Sequence, residues 1–311
     1  MAQLKFAIIP GQNPGETITQ FIQRKLTPKP DHVKPCHQVL ESLVQFLQRK
    51  EAPFNVKTIL KGGSFGKGTS VRGNSDLDLI LFLNDYPTVA ALKKDLPMVL
   101  HQVKSYVQTH AHWAEELMFR RVTRLSVQFY LRIPDLDEVH QVEIFPAVHV
   151  TETTSKDNIY EVMKENQELQ DYFMSSLAPL QIAFVSQVPS KVKDLIRLFK
   201  YWAQVERVPV KLYFIELLVI NHWVTDGKPH NFDMDIYVKQ LLQQLADCRS
   251  LAISFSDNYN YKLYRNDLRA PYVLDPANPF QNVAPSVGDV TTVCQCAIVV
   301  LNERLKYGAK P

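Results

Sequence analysis

The sequence has few cysteines and no long apolar run. None of its four cysteines forms a Cys-x-x-Cys pair, and no cluster has the spacing of zinc ligands. Cysteines of this kind are typically reduced and structural, so we expect a cytoplasmic protein without zinc. No segment approaches the roughly 18 apolar residues of a membrane span, so no membrane association is expected. The apolar segment near the N-terminus is too short for a secretory signal.

The composition is not extreme in either charge or hydrophobicity. The 311 residues are 46% hydrophobic and 22% charged, which favours a folded globular protein over a disordered one. This length allows one large domain or two medium ones, each with its own core. The net charge of +3 permits a nucleotide or nucleic-acid partner without requiring one. We find no internal repeat and no low-complexity tract.

The most informative stretch is Lys61–Leu83, KGGSFGKGTSVRGNSDLDLILFL. Its second half is typical of a buried strand that carries Asp76 and Asp78. These two acids are two positions apart, so their carboxylates project from the same face of the strand. Like charges on one face of a core strand repel each other, unless a divalent cation lies between them. Carboxylate oxygens suit Mg²⁺ or Mn²⁺.

The first half of this stretch is a glycine-rich turn. Glycine lets the backbone approach a ligand and direct its N–H groups at an anion. The turn is not a Walker A motif, because Gly68 follows Lys67 where Ser or Thr is required and Lys61 replaces the first glycine. A phosphate-binding turn followed by paired carboxylates indicates metal-assisted phosphoryl or nucleotidyl transfer. The competing interpretation is a glycine turn leading into a strand with incidental surface acids.

The two motifs together resemble a known family. GGSFGKGT with SDLDL is similar to the nucleotidyltransferase motif of the 2′-5′-oligoadenylate synthetases, within the DNA-polymerase-β-like superfamily that also contains cyclic GMP-AMP synthase-like receptors. DLIRLFKYW (194–202) and PYVLDPANP (271–279) resemble further segments of the family. The resemblance implies a bilobal α+β fold, with a nucleotidyltransferase sheet, flanking helices and a C-terminal helical domain. We expect the catalytic core and N-terminal helices in residues 1–150 and the mainly helical domain in 151–311.

The resemblance also implies a third carboxylate on a neighbouring strand. Aligning residues 145–147 (FPA) with the family's LPA places Glu143 where the family has Asp. An unpaired acid inside a strand is unfavourable, which supports a ligand role. The predicted catalytic and metal-binding residues are therefore Asp76, Asp78 and Glu143. Because Glu is one methylene longer than Asp, a structural or impaired site is the alternative.

The resemblance assigns further residues to ATP. Arg197 and Lys200 are three positions apart on a predicted amphipathic helix, so they are neighbours on one face. They match the family's RLxKxW segment, which implies that they bind the triphosphate, although a solvated basic face is the plain alternative. Leu212 replaces a nucleotide-binding Gln of the family, whereas the next residue matches its Tyr. The predicted ATP-binding residues are Gly63, Ser64, Arg197, Lys200 and Tyr213.

An activator is implied by the same resemblance. Family enzymes are commonly activated by double-stranded RNA, which is recognised through spaced Lys and Arg residues on one face. Ile182 and Ser186 stand at positions that are basic in the vertebrate enzymes, so an RNA site here would differ from theirs or be partly lost. The sequence has no cluster like the zinc thumb of the DNA-sensing sister family. The predicted RNA-binding residues are Lys61, Lys67, Lys191 and Lys193.

The resemblance implies a template-independent enzyme of antiviral innate immunity. It would make 2′-5′-linked oligoadenylates from ATP and release pyrophosphate. One alternative is a cyclic dinucleotide synthase of the same superfamily. Another is a catalytically inactive protein that binds double-stranded RNA, which Glu143 and Leu212 favour, whereas the paired carboxylates and the intact glycine turn favour an enzyme.

Residue patterns also predict local structure. Strands are predicted at 56–60 and in three runs between 117 and 145. A short helix is predicted at 69–72, directly after the glycine turn, where its N-terminal dipole would favour phosphate. Longer helices are predicted by their apolar periodicity: two within 14–50, and others at 88–110, 191–205, 212–223, 232–248 and 288–305.

Overall fold

The computed structural model describes residues 9–73, 76–134 and 138–304. Ser75, which precedes the paired carboxylates in the sequence motif, lies outside these ranges, as does part of the loop between the second and third predicted strands of 117–145.

The strands form two sheets. The larger sheet has the order β1-β2-β5-β4-β3, in which β2 and β5 are parallel and the other neighbours are antiparallel. The smaller sheet has the order β6-β7-β8. The strands are β1 (Val56–Lys61), β2 (Asp76–Leu83), β3 (Glu116–Val122), β4 (Val127–Arg132), β5 (His140–Ala147), β6 (Ala252–Ile253), β7 (Tyr272–Asp275) and β8 (Asn278–Asn282).

Along the chain, helices precede, separate and follow the strands. The predicted α+β class is therefore confirmed. The α-helices are α1 (Ile18–Phe21), α2 (Pro30–Leu47), α3 (Gly63–Lys67), α4 (Val89–His110), α5 (Val150–Thr153), α6 (Lys156–Glu165), α7 (Phe173–Ser176), α8 (Ala178–Ser186), α9 (Ser190–Val205), α10 (Leu212–Thr225), α11 (Met234–Ala246) and α12 (Val287–Val299). Turns of π-helix cover Ile22–Leu26 and Val300–Arg304, and 3₁₀ turns cover Gln167–Tyr172, Cys248–Ser250 and Tyr261–Leu263. No helix in the described residues has the length and apolarity that a membrane crossing requires.

Most local predictions are confirmed, and one is wrong. The longer predicted helices are present, and so are the strand that carries the paired acids and the four other predicted strands, with shifts of a few residues at their ends. The helix predicted at 69–72 is absent, because α3 instead occupies the glycine-rich turn itself. Gly68 ends α3 in the left-handed conformation, at φ +70°, which is the usual way for a glycine to terminate a helix.

The chain packs as two units that are discontinuous in sequence. One unit combines the N-terminal segment up to Thr27, the four residues Thr69–Arg72 and the chain from Gln187 onwards. The other contains Pro28–Gly68 and Gly73–Ser186. This division differs from the predicted boundary near residue 150. Within the first unit, the guanidinium of Arg72 donates to the carbonyl oxygens of Thr27 and Arg24, which ties the short segment to the N-terminal one.

The second unit holds the larger sheet and the paired acids. Along β2, Asp76 is exposed and Asp78 is partly buried, whereas Leu77 and Leu79 are buried. The predicted alternation is therefore present at the start of the strand. From Leu79 onwards every residue of β2 is buried, as expected for a strand in the interior of a sheet.

Candidate active site and nucleotide-binding residues

The pairing of β2 with β5 gathers the predicted acids. These strands are parallel, and their register places Asp78 directly beside Glu143 and Asp76 beside Gln141. Residues that are side by side on adjacent strands project from the same face of a sheet. Asp76, Asp78 and Glu143 therefore share one face of the second unit, although they come from segments more than sixty residues apart.

Asp78 lies in an environment that opposes its negative charge. Burial, followed by the charges of Glu143 and Asp76, raises the pKa of Asp78 from 3.8 to about 6, and the nearby Lys67 opposes this shift only in part. An ionised Asp78 is thus held at a cost in the folded protein near neutral pH. Such a cost is removed when a divalent cation binds among the carboxylates.

The glycine-rich turn packs directly against Asp78. The amide N of Gly62 donates to the carbonyl oxygen of Asp78 at 2.7 Å. Gly63 has a φ of +56°, and a Cβ atom placed there would lie 2.3 Å from Asp78 Oδ2. Only glycine fits this position, so the residue that the sequence assigned to phosphate binding also allows the turn to approach the carboxylate.

Glu143 is held by two side chains of the neighbouring strand β4 and its preceding turn. Ser126 Oγ donates to Glu143 Oε1 at 2.5 Å, and Gln128 Nε2 donates to the same oxygen at 2.8 Å. Sequence reasoning missed both donors. A signal was present, since Gln128 is a polar residue between the apolar Val127 and Phe129, but its partner depends on the strand register.

The acids share a face without forming a ready-made metal cluster. Within residues 9–73, 76–134 and 138–304, no three His, Cys, Asp or Glu side chains are grouped so that they could hold a metal ion. The type of donor nevertheless fits, because carboxylate oxygens are the ligands that Mg²⁺ and Mn²⁺ prefer. Asp76, Asp78 and Glu143 are the residues that would hold such a cation.

Lys200 of the first unit is in a buried ion pair. Its Nζ lies 2.5 Å from Glu216 Oε1 and 3.0 Å from Thr69 Oγ1, and Thr69 Oγ1 donates to the same Glu216 oxygen at 2.6 Å. Lys200 is 3% exposed and Glu216 is 1% exposed. Lys200 therefore does not lie on the solvated basic face that was the alternative to the triphosphate contact, and its ammonium charge is already compensated by Glu216.

Arg197 and Tyr213 are also oriented within the first unit. Arg197 Nη1 donates to Asp194 Oδ1 at 2.8 Å and its Nε donates to Ser70 O at 3.0 Å. Tyr213 donates its hydroxyl proton to the buried Asp275 at 3.1 Å. The RLxKxW and LDP segments of the sequence thus both contain residues with defined polar partners in this unit.

The four predicted RNA-binding lysines differ in exposure. Lys61 and Lys193 are partly exposed. Lys191 donates to Asn231 Oδ1 and to Phe232 O, each at 2.5 Å. Lys67 is 9% exposed, and its charge acts on Asp78. Lys67 therefore does not lie on the exposed basic face that the prediction assumed, since α3 turns it towards the carboxylates.

The fold is that of a nucleotidyltransferase. The structure is similar to that of CdnC from E. coli MS115-1 with ATP, with a TM-score of 0.62 and 16% identity over 90% of this chain and 88% of that chain. At this identity the likeness defines the fold alone. It agrees with the fold class predicted from the sequence motifs.

Sequence similarity relates the chain to a known family. The family model described as 2′-5′-oligoadenylate synthetase 1, domain 2, C-terminus, matches residues 153–306. The chain is 28% identical to mouse 2′-5′-oligoadenylate synthase 1A over 87% of this chain and 83% of the relative. It is 26% identical to bovine 2′-5′-oligoadenylate synthase 2 over 88% of this chain, and it spans 41% of that longer relative. The chain is thus similar to the 2′-5′-oligoadenylate synthetases over most of its length.

The close approach at Gly63 leads to a first prediction. Gly63→Ala should lower the free energy of unfolding by about 1–3 kcal/mol, because the new methyl group overlaps the Asp78 carboxylate. Urea denaturation measures this loss. Gly227→Ala is the matched control for backbone strain, since Gly227 has a φ of +79° but open space around it. An equal loss in both variants would show that the contact with Asp78 contributes nothing.

The raised pKa of Asp78 leads to a second prediction. The folded state favours the protonated form, so ionisation of Asp78 destabilises the fold as pH rises from about 4 to above about 6. With a chelator present, Asp78→Asn should therefore stabilise the protein near pH 7.5, by up to about 3 kcal/mol, and give little gain near pH 4. Thermal unfolding at several pH values measures this.

The control for this pH dependence is Asp267→Asn. Arg265 lowers the pKa of Asp267, so this exposed acid should give no stabilisation near neutral pH. An equal gain in stability in both variants, or a gain in stability for Asp78→Asn that does not depend on pH, would show that the ionised Asp78 carboxylate does not destabilise the fold.

The buried ion pair leads to a third prediction. Glu216→Leu or Lys200→Met alone should cost about 3–5 kcal/mol, because each leaves the partner's charge buried and uncompensated. The double variant Lys200→Met/Glu216→Leu should lose less than the sum of the two single losses. A denaturation-based double-mutant cycle measures the coupling. If Lys200 served only as an exposed triphosphate contact, Lys200→Met would change the KM for ATP and leave stability unchanged.

Proposed function

We propose that this protein transfers AMP from ATP to a 2′-hydroxyl group and so makes 2′-5′-linked oligoadenylates without a template. The observation that carries the proposal is the placement of Asp78 beside Glu143, with the glycine-rich turn packed against Asp78. An acid cluster next to a phosphate-binding turn suits in-line attack on the α-phosphorus with pyrophosphate as the leaving group. Similarity to the oligoadenylate synthetases supports the choice of ATP and of the 2′-5′ linkage.

Asp76, Asp78 and Glu143 would hold Mg²⁺ or Mn²⁺, which would neutralise phosphate charge and lower the pKa of the attacking hydroxyl group. The residues of the turn have a separate task. The first amides of α3 have no partner within the helix, so the backbone at Gly63 and Ser64 can donate to phosphate oxygens. The Ser64 hydroxyl adds a further donor. The reaction needs no covalent intermediate with the protein.

The nucleotide contacts predicted in the first unit differ in whether the side chain is only oriented by a partner or must first leave an ion pair. Arg197 and Tyr213 have side chains oriented by Asp194 and by Asp275, respectively. We keep both as proposed ATP contacts. Lys200 would contact a triphosphate only after its ammonium group leaves Glu216. We therefore assign Lys200 a structural role, as the partner of Glu216 in the buried ion pair.

Activation by double-stranded RNA and a role in antiviral innate immunity in the cytoplasm are part of the same proposal. Similarity to the oligoadenylate synthetases supports them. Lys61, Lys191 and Lys193 remain proposed RNA contacts. The burial of Lys67 removes one of the four predicted contacts from an exposed surface.

A catalytically inactive protein that binds double-stranded RNA is the second candidate. Two observations favour it: the described acids do not form a group of three metal ligands, and Glu143 Oε1 already accepts two hydrogen bonds from other side chains. The unfavourable environment of Asp78 argues for the enzyme, because an inactive protein gains nothing from keeping this charge.

The test is incorporation of labelled ATP with Mg²⁺ or Mn²⁺, with and without long double-stranded RNA. We expect oligomers that resist a 3′-5′-specific nuclease, and we expect Asp78→Asn to abolish them while making the protein more stable. Asp267→Asn should behave like the wild type. Retained activity in Asp78→Asn would contradict the metal-ligand assignment. A cyclic product from mixed ATP and GTP, identified by mass, would instead indicate a cyclic dinucleotide synthase, and RNA binding without any product would indicate the inactive candidate.

A further inference from the structure

Strand β4 and its preceding turn direct two buried polar side chains at Glu143. Ser126 is fully buried and Gln128 is 6% exposed. Their bonds of 2.5 and 2.8 Å both end on Oε1 of Glu143. Neither bond uses Oε2. The two donors therefore fix one oxygen of the carboxylate and leave the second oxygen outside this network.

The orientation of Gln128 is set by Arg121. Arg121 Nε donates to Gln128 Oε1 at 2.8 Å. An amide side chain has one oxygen and one NH₂ group, so occupying the oxygen directs the NH₂ group to the opposite side, where Glu143 lies. The register also places Gln128 directly opposite Glu143 across β4 and β5. Arg121, Gln128 and Glu143 thus form an ordered chain of hydrogen bonds across three strands.

The orientation of Ser126 is set by Thr123. Thr123 Oγ1 accepts the backbone N–H of Ser126 at 2.9 Å and lies 2.7 Å from Ser126 Oγ. Because the Ser126 hydroxyl proton is directed at Glu143, Thr123 is the donor in the hydroxyl–hydroxyl contact. The turn between β3 and β4 therefore orients the second donor, as Arg121 orients the first.

A long side chain needs this support if it is to serve as a ligand. Glu has one more rotatable bond than Asp and loses more conformational freedom when a single orientation is required. Partners that orient a ligating carboxylate commonly change metal affinity about 10–100-fold when they are removed. Two donors on one oxygen restrict the extra torsion of Glu143 before any cation binds.

We propose that Gln128, together with Ser126, is a positioning residue that orients Glu143 so that Oε2 can bind a divalent cation held with Asp76 and Asp78. This inference rests on the proposed function. It makes Glu143 and Gln128 an interdependent pair: an Asp at position 143 would be too short to keep both bonds, so restoring the residue type of the family should impair the site.

The experiment compares Mn²⁺ binding to the full chain and its variants. Free Mn²⁺ is titrated by electron paramagnetic resonance, and incorporation of ATP is measured over a range of Mn²⁺ concentrations. Gln128→Met keeps the length of the side chain and removes the donor. We expect it to weaken Mn²⁺ binding about 10-fold or more, with product formation recovering at saturating Mn²⁺. Glu143→Asp should weaken binding in the same direction.

Two further variants keep the test decisive. Arg121→Met alters an exposed residue, so the fold should tolerate it, and it should reproduce part of the Gln128→Met effect by releasing the amide. Gln244→Met is the matched control, since it removes a glutamine amide that lies 3.0 Å from His222 Nδ1 in the first unit. It should leave Mn²⁺ binding unchanged.

Several results would overturn the positioning role. These are unchanged Mn²⁺ affinity in both Gln128→Met and Arg121→Met, an equal loss in Gln244→Met, unimpaired binding by Glu143→Asp, or no Mn²⁺ binding by the wild type. Weaker Mn²⁺ binding in Gln128→Met, in a wild-type background that binds Mn²⁺ but forms no product, would support the positioning role and refute the proposed function. The two failures are thereby distinguished.

Discussion

The parallel pairing of β2 with β5 imposes the constraint on which the site depends. It places Asp78 beside Glu143 and keeps Asp76 on the same face, so three negative charges are concentrated on two neighbouring interior strands of the larger sheet. The sheet cannot relieve this repulsion, because β2 is buried from Leu79 onwards and its register is fixed by that burial. Neighbouring residues partly stabilise these charges. The positive charge of Lys67 lowers the pKa of Asp78, and the side chains of Ser126 and Gln128 donate hydrogen bonds to Glu143.

Sequence reasoning succeeded where a local rule decides the structure. The two-residue period of a strand was enough to put Asp76 and Asp78 on one face, and apolar periodicity located the long helices. It failed at the short helix, since glycine is a poor helix former and the pattern suggested a turn at Gly63–Lys67. Packing against the end of β1 and against Asp78 overrides that weak propensity, and Gly68 then ends the helix one residue before the predicted start.

What the sequence could not supply was the identity of partners that are distant in the chain. The spacing of Arg197 and Lys200 places them on one helix face but does not reveal that Glu216 is buried against one of them. In the same way, Gln128 is a polar residue between two apolar ones, and only the register of β4 with β5 identifies Glu143 as its acceptor. Both cases require tertiary pairing, which hydrophobic pattern and motif spacing do not encode.

Comparison of the Lys200–Glu216 ion pair with the acids around Asp78 shows how charge compensation distinguishes a structural charge from a functional one. The ammonium of Lys200 is matched by Glu216 and Thr69, so its burial is satisfied without any ligand. The carboxylate of Asp78 is compensated only in part, since Lys67 does not offset the effects of burial and of two neighbouring carboxylates. A fold gains no stability from such an arrangement, and its retention needs a reason outside the folded chain itself. The incompletely compensated site, rather than the more deeply buried ion pair, is therefore where a cation and a nucleotide are expected to bind.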